Sequence, residues 1–81
     1  MAATNLGVIL AERGLTARAI DVWRPAFDRH PEASELGVDL SMGLCKSGDW
    51  KGAVDELRTV LAHNPDFDSA RQMAAALARG P

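Results

Sequence analysis

The sequence predicts an all-α fold of five helices, arranged as two helix–turn–helix units followed by one C-terminal helix. Three observations lead to this prediction. Apolar residues recur at helical spacing, single glycines separate helical segments, and a shift of 34 residues aligns the first half of the chain with the second. With 81 residues the chain is long enough for one small domain, whose core depends on regular packing.

The internal repeat fixes the register of the two units. At the 34-residue shift the identical pairs are Leu6/Leu40, Leu10/Leu44, Gly14/Gly48, Ala19/Ala53, Asp21/Asp55, Arg24/Arg58 and Pro31/Pro65. Similar apolar residues lie between these pairs, so each unit should fold in the same way. The units occupy about residues 2–33 and 34–67.

The first unit is predicted to contain a helix over about residues 4–13 and a second helix that starts with Thr16 as N-cap and ends before Pro31. Gly14, like its equivalent Gly48, suits a left-handed stop between the two helices. The residues expected to face the core are Leu6, Ile9, Leu10, Ala19, Ile20, Trp23, Ala26 and Phe27.

Pro25 lies well inside the second predicted helix. Proline removes a backbone donor and typically costs about 3 kcal/mol in a helix interior. Either the helix stops at Arg24 and a new one starts at Pro25, or one kinked helix continues. Ala26 and Phe27 keep the register of Trp23, so we favour the continuous helix with Pro25 on its outer side.

The second unit is predicted to contain a helix over 34–46, with Ser34 as N-cap, and a helix that is capped by Asp49 and ends near residue 63. Gly37 and Gly43 weaken the first of these by about 1 kcal/mol each relative to alanine. This helix should therefore need neighbours on several sides. Trp50 is expected to pack in the turn between the two helices.

The fifth helix, over about 69–79 with Asp66 or Asp68 as cap, is rich in alanine and has a high helix propensity. It should cover the second unit, as the end of a repeat array requires. Few polar residues lie on it. Two alternatives therefore stay open: the array continues beyond Pro81 in a longer protein, or this helix contacts another copy of the chain.

The repeat resembles the tetratricopeptide repeat (TPR) family, whose unit is a 34-residue helix–turn–helix. The residues that carry the resemblance are Leu6-Gly7, Leu10, Ala19, Trp23 and Pro31 in the first unit, and Leu40-Ser41, Leu44, Ala53, Leu57 and Pro65 in the second. Ala3 and Gly37 stand where the family usually has an aromatic residue. The resemblance covers about residues 2–68 and implies a right-handed α-solenoid.

The resemblance also implies a concave groove that binds a peptide or a helix of a protein partner. Carried over to this chain, the groove residues are Asn5, Val8, Glu12, Glu35, Val38, Asp39, Met42, Lys46, Gln72 and Met73. The family's best-known groove binds the C-terminal carboxylate of chaperones through lysine, asparagine and arginine side chains. The matching positions here are Thr4, Val8, Asp39, Ser69 and Met73, which argues against binding of a chaperone C-terminus. Glu12, Glu35 and Asp39 suggest an apolar ligand with some basic character.

Composition and spacing argue against other classes of function. The net charge of −2 disfavours nucleic-acid binding, no apolar run is long enough to span a membrane, and the start lacks a signal-peptide pattern, which favours the cytoplasm. His30, His63 and Cys45 are not spaced for catalysis or metal binding, so we expect no enzyme activity, metal or cofactor. The alternative to a binding module is a structural, self-associating segment of a longer solenoid whose groove holds no ligand.

Overall fold

A computed structural model describes residues 2–79, which form five α-helices and no β-strand. The helices are α1 (Ala2–Glu12), α2 (Thr16–Arg29), α3 (Ser34–Lys46), α4 (Trp50–His63) and α5 (Asp68–Ala78). The predicted all-α class and the five helices are confirmed for this part of the chain.

The central element of the fold is α3. Each helix packs against the next one along the chain, and α3 also lies beside α1 and α5, so it contacts all four other helices. One buried cluster forms the core: Ala19, Trp23, Phe27, Leu36, Val38, Leu40, Leu44, Ala53, Leu57, Val60 and Ala70. The expectation that α3 is surrounded by neighbours is therefore confirmed.

The two glycines inside α3 allow close approach of bulky side chains. A Cβ added at Gly37 would lie 2.7 Å from Phe27 Cζ and closer still to Val60, and one at Gly43 would lie 3.2 Å from Trp23 Cζ3. The missing side chains thus leave space that aromatic rings of α2 fill. Their low helix propensity is offset by this packing.

The turns within each unit have the predicted chemistry. Gly14 and Gly48 have φ values of 79° and 85°, a left-handed conformation that glycine adopts without a steric penalty. The carboxylate of Asp49 accepts a hydrogen bond of 2.9 Å from the backbone N–H of Gly52, which makes it the N-cap of α4.

The other N-cap predictions are wrong. Thr16, Ser34 and Asp68 are the first residues inside α2, α3 and α5, and no side chain caps these helices. The cap positions are held by Leu15, Ala33 and Phe67. Ala33 and Phe67 pack against the core, so apolar contact, rather than a polar cap, fixes where the chain enters α3 and α5.

Pro25 lies inside the uninterrupted helix α2 and its side chain is exposed. The continuous helix and the outward position of Pro25 are both confirmed. The alternative of two separate helices is wrong. Because Trp23 and Phe27 on the inner face of α2 are buried, packing on that face offsets the helix-breaking cost of proline.

Three large apolar residues are less buried than predicted. Leu6 and Ile9 on α1 are 49% and 48% exposed, and Trp50 at the start of α4 is 40% exposed. The prediction that Leu6 and Ile9 face the core is wrong, since neither belongs to the core cluster or packs against it. Trp50 also lies outside that cluster, and its packing in the turn stays a prediction. Helix α1 contacts only α2 and α3 among the described residues, so part of its apolar surface is uncovered.

Within residues 2–79, no helix has both the length and the apolar character needed to cross a membrane.

Candidate functional site

Two adjoining hollows lie along the surface of α3, a wide one between α1, α3 and α5 and a narrow one between α1, α2 and α3. The wide hollow, of about 750 Å³, is lined by Thr4, Val8, Glu35, Val38, Asp39, Met42, Phe67, Ser69, Gln72 and Met73. The narrow hollow, of about 190 Å³, is lined by Val8, Ala11, Glu12, Thr16, Trp23, Asp39, Met42, Gly43 and Lys46. Val8, Asp39 and Met42 line both and so mark the junction.

The structure brings together nine of the ten residues predicted for the groove. Those that line the wide or the narrow hollow are Val8, Glu12, Glu35, Val38, Asp39, Met42, Lys46, Gln72 and Met73. The tenth, Asn5, is exposed and lines a third hollow of about 480 Å³ beside the turn between α2 and α3, which shares Thr4, Glu35 and Phe67 with the wide hollow. The groove residues that belong to α3 follow one another at intervals of one, three or four positions, so they lie on one side of the helix.

The apolar part of this surface differs from the prediction in one respect. Val38 was expected to be exposed to a ligand, but only 8% of it is exposed, because it belongs to the core cluster. Met42 and Val8 are 45% and 36% exposed. Val38 therefore supports the floor of the wide hollow, whereas Met42 and Val8 are accessible at the junction.

Two aromatic residues of the lining are absent from the predicted set. Phe67 precedes α5 and lines the wide hollow, and Trp23 of α2 lines the narrow one although it is almost fully buried. The indole Nε1 of Trp23 donates a long hydrogen bond of 3.5 Å to the Thr4 carbonyl. Gly7 lets this ring approach α1, since any Cβ there would collide with it. The signal available in the sequence was the small residue Gly7, which leaves room for a large ring against α1.

Asp39 is the half-buried charged group at the junction. Burial raises the pKa of this carboxyl, and the negative charge of Glu35, one helical turn earlier, raises it further. Among residues 2–79 the ion pair within 4.0 Å is that of His30 with Glu32, so Asp39 has no cation at that distance. The carboxylate of Asp39 is thus partly desolvated without a compensating charge.

The cysteine and the two histidines lie outside the wide and narrow hollows. Cys45 packs against the core, outside both hollows, and burial raises the pKa of its thiol. The Nδ1 atom of His63 lies 3.0 Å from the Thr59 carbonyl at the exposed end of α4, and His30 lies at the end of α2. Within the described residues, no group of three or more His, Cys, Asp or Glu side chains is placed to hold a metal ion.

No family model matches the chain. The chain is 35% identical over 68 residues to Protein FlbA of Caulobacter vibrioides, in an alignment that covers 84% of this chain and 11% of FlbA. The chain therefore spans about a tenth of the length of the curated relative that it matches.

Proposed function

We propose that this chain is a non-enzymatic protein–protein interaction module of the TPR type, which binds a peptide or a helix of a protein partner along its wide and narrow hollows. The observation that carries the proposal is that nine residues assigned to a TPR groove line these two adjoining hollows. Their combined lining offers apolar side chains, a few charges and no catalytic constellation, which is typical of a peptide-binding surface.

The packing order supports the solenoid arrangement on which the proposal depends. Consecutive helices are antiparallel neighbours in such repeats, and the first helices of successive units lie side by side. Here α1, α3 and α5 hold these positions, with α3 beside both others. The hydroxyl of Ser41 donates to the Gly37 carbonyl of its own helix at 2.8 Å and lies 3.3 Å from the Ala53 carbonyl, where α3 and α4 cross closely through small residues.

The test is affinity capture from a lysate of the organism that carries the gene, followed by titration with the purified partner. The groove variant is Val8→Glu/Met42→Glu, since both residues are accessible and Val38 is too buried to change without unfolding risk. The matched control is Leu6→Glu/Ile9→Glu, which adds the same charge to equally exposed apolar residues outside the hollows.

We expect the groove variant to bind the partner more than about tenfold more weakly, because it places carboxylates in an apolar contact. The control variant should bind like the wild-type chain. Circular dichroism checks that both variants stay helical. Equal binding by the wild-type chain and the groove variant contradicts the proposal.

A second candidate function, a structural segment that self-associates or extends a longer solenoid, is favoured by apolar surface at both ends of the stack. At one end are Leu6 and Ile9. At the other, a cleft of about 210 Å³ between α4 and α5 is lined by Val54, Leu57, Arg58, Leu61, Ala74, Leu77 and Ala78. Sedimentation velocity tests self-association: a dimer that Leu77→Glu disperses supports it, and a monomer at all concentrations contradicts it.

A further inference from the structure

The wide and narrow hollows differ in shape but share one charged group. The 750 Å³ of the wide hollow is within the range of roughly 300–1,000 Å³ that ligand sites occupy. The 190 Å³ of the narrow hollow exceeds the roughly 150 Å³ that accommodates benzene in an engineered cavity. Each can therefore take a large apolar side chain, and a segment that enters both passes the junction, where Asp39 is the charged residue beside Val8 and Met42.

The charges along this path have a marked asymmetry. The wide hollow is lined by two carboxylates, Glu35 and Asp39, and by no basic side chain. The narrow hollow has Glu12 and Asp39, with Lys46 as its single cation. Lys46 follows Asp39 by seven residues, about 10 Å along the helix axis, and forms no ion pair with it. The surface at the junction is thus complementary to a positive charge.

We infer that the occupant of the two hollows is a peptide segment that places one lysine or arginine against Asp39 and an apolar side chain in each hollow. This inference rests on the proposed function and specifies the chemistry of the partner. A cation at this position would pair with a partly desolvated carboxylate, where an ion pair is stronger than on an open surface. It would also relieve the repulsion between Glu35 and Asp39.

The experiment is a selection from a random-peptide display library against three forms of the immobilised protein: wild type, Asp39→Asn and Val8→Glu/Met42→Glu. Asp55→Asn is the charge-matched control, because Asp55 is exposed on α4 and lines neither hollow. We expect the wild type and Asp55→Asn to enrich peptides with one basic residue between apolar residues. Asp39→Asn should enrich the apolar residues without the basic one.

A synthetic peptide of the enriched sequence then allows a double-mutant cycle. Replacing its basic residue by methionine should weaken binding to the wild type about five- to tenfold and have little effect on binding to Asp39→Asn. Enriched peptides that need the hollows but carry no basic position would overturn this inference and leave the proposed function standing. If no peptide is sensitive to Val8→Glu/Met42→Glu, both proposals fail.

Discussion

Replacement of Gly37 by alanine should destabilise the protein, although alanine is the better helix former. In an exposed helix this change would stabilise the protein by about 1 kcal/mol. At Gly37 the new methyl group would lie 2.7 Å from Phe27 Cζ and 2.8 Å from Phe27 Cε1, and closer still to Val60. Phe27 and Val60 are 2% and 0% exposed and come from different helices, so neither has free space to move into.

Overpacking of a core typically costs about 1–3 kcal/mol, and two rigid neighbours place Gly37→Ala toward the upper end of that range. After subtraction of the propensity gain, the expected net loss is about 1–2 kcal/mol. For a domain of this size, that corresponds to a decrease in Tm of about 4–16 °C.

Thermal unfolding followed by circular dichroism measures this change. The control is the double variant Gly37→Ala/Val60→Ala, in which loss of the valine methyl groups makes room for the new one. Its destabilisation should be smaller than the sum of the two single effects. A Tm of Gly37→Ala equal to or above that of the wild type would refute the reasoning, since propensity would then outweigh packing at this position.

Three further predictions concern stability, each measured by chemical denaturation. Asp39→Asn should raise the free energy of unfolding at pH 7 by at least about 0.2–0.5 kcal/mol, the cost of a like-charge pair one turn apart. Because folding raises the pKa of Asp39, the ionised carboxylate destabilises the folded wild type increasingly as pH rises through that pKa. The stability difference between Asp39→Asn and the wild type should therefore vanish in strong acid, where the carboxyl is protonated in both the folded and the unfolded state. Asp49→Ala should lower the free energy of unfolding by about 1 kcal/mol, because it removes the N-cap hydrogen bond of α4. Thr16→Ala removes no such bond and should change the free energy of unfolding by less than about 0.5 kcal/mol. Pro25→Ala should stabilise the protein by about 1–3 kcal/mol, because it restores a backbone donor on the exposed side of α2.

The helices and their order could be predicted because their signals are local. Gly14 and Gly48 end helices through their own backbone conformation, and Asp49 caps α4 through a bond to a residue three positions away. The 34-residue register then transfers each assignment from one unit to the other. The N-cap predictions were wrong where a polar cap competed with tertiary packing. Ser34 is the example: Ala33, which packs against the core, holds the N-cap position of α3 instead.

Burial could not be read from the pattern in the same way. Leu6 and Leu40 are the same residue type at the same repeat position, yet Leu6 is 49% exposed and Leu40 is fully buried. Periodicity tells which side of a helix is apolar, but the extent of burial depends on whether another helix lies there. Helix α3 contacts all four other helices, whereas α1 contacts only α2 and α3 among the described residues.

The same argument explains which parts of the candidate site were missed. Asp39 and Met42 could be assigned to the groove because the resemblance to the TPR family implies which positions of the 34-residue unit line it, and both residues line the two hollows. Phe67 reaches the wide hollow from a turn, and Trp23 reaches the narrow one from beneath, past a glycine on another helix. Whether Phe67 and Trp23 line a hollow depends on how several helices pack together. The spacing of residues within one helix does not predict that packing.

Stability and binding place opposite demands on Asp39. Its carboxylate is half-buried beside Glu35, and none of residues 2–79 places a cation within 4.0 Å of it, so an amide at this position would suit the isolated fold better. Asp39 also lines both hollows at the point that a spanning ligand must cross. A group that costs stability in the free protein and gains a partner in a complex is expected at a binding surface rather than in a spacer. An Asp39→Asn variant that is more stable and binds its selected peptide less tightly would therefore support a binding module, whereas a stability gain with unchanged binding would leave Asp39 as an ordinary surface acid.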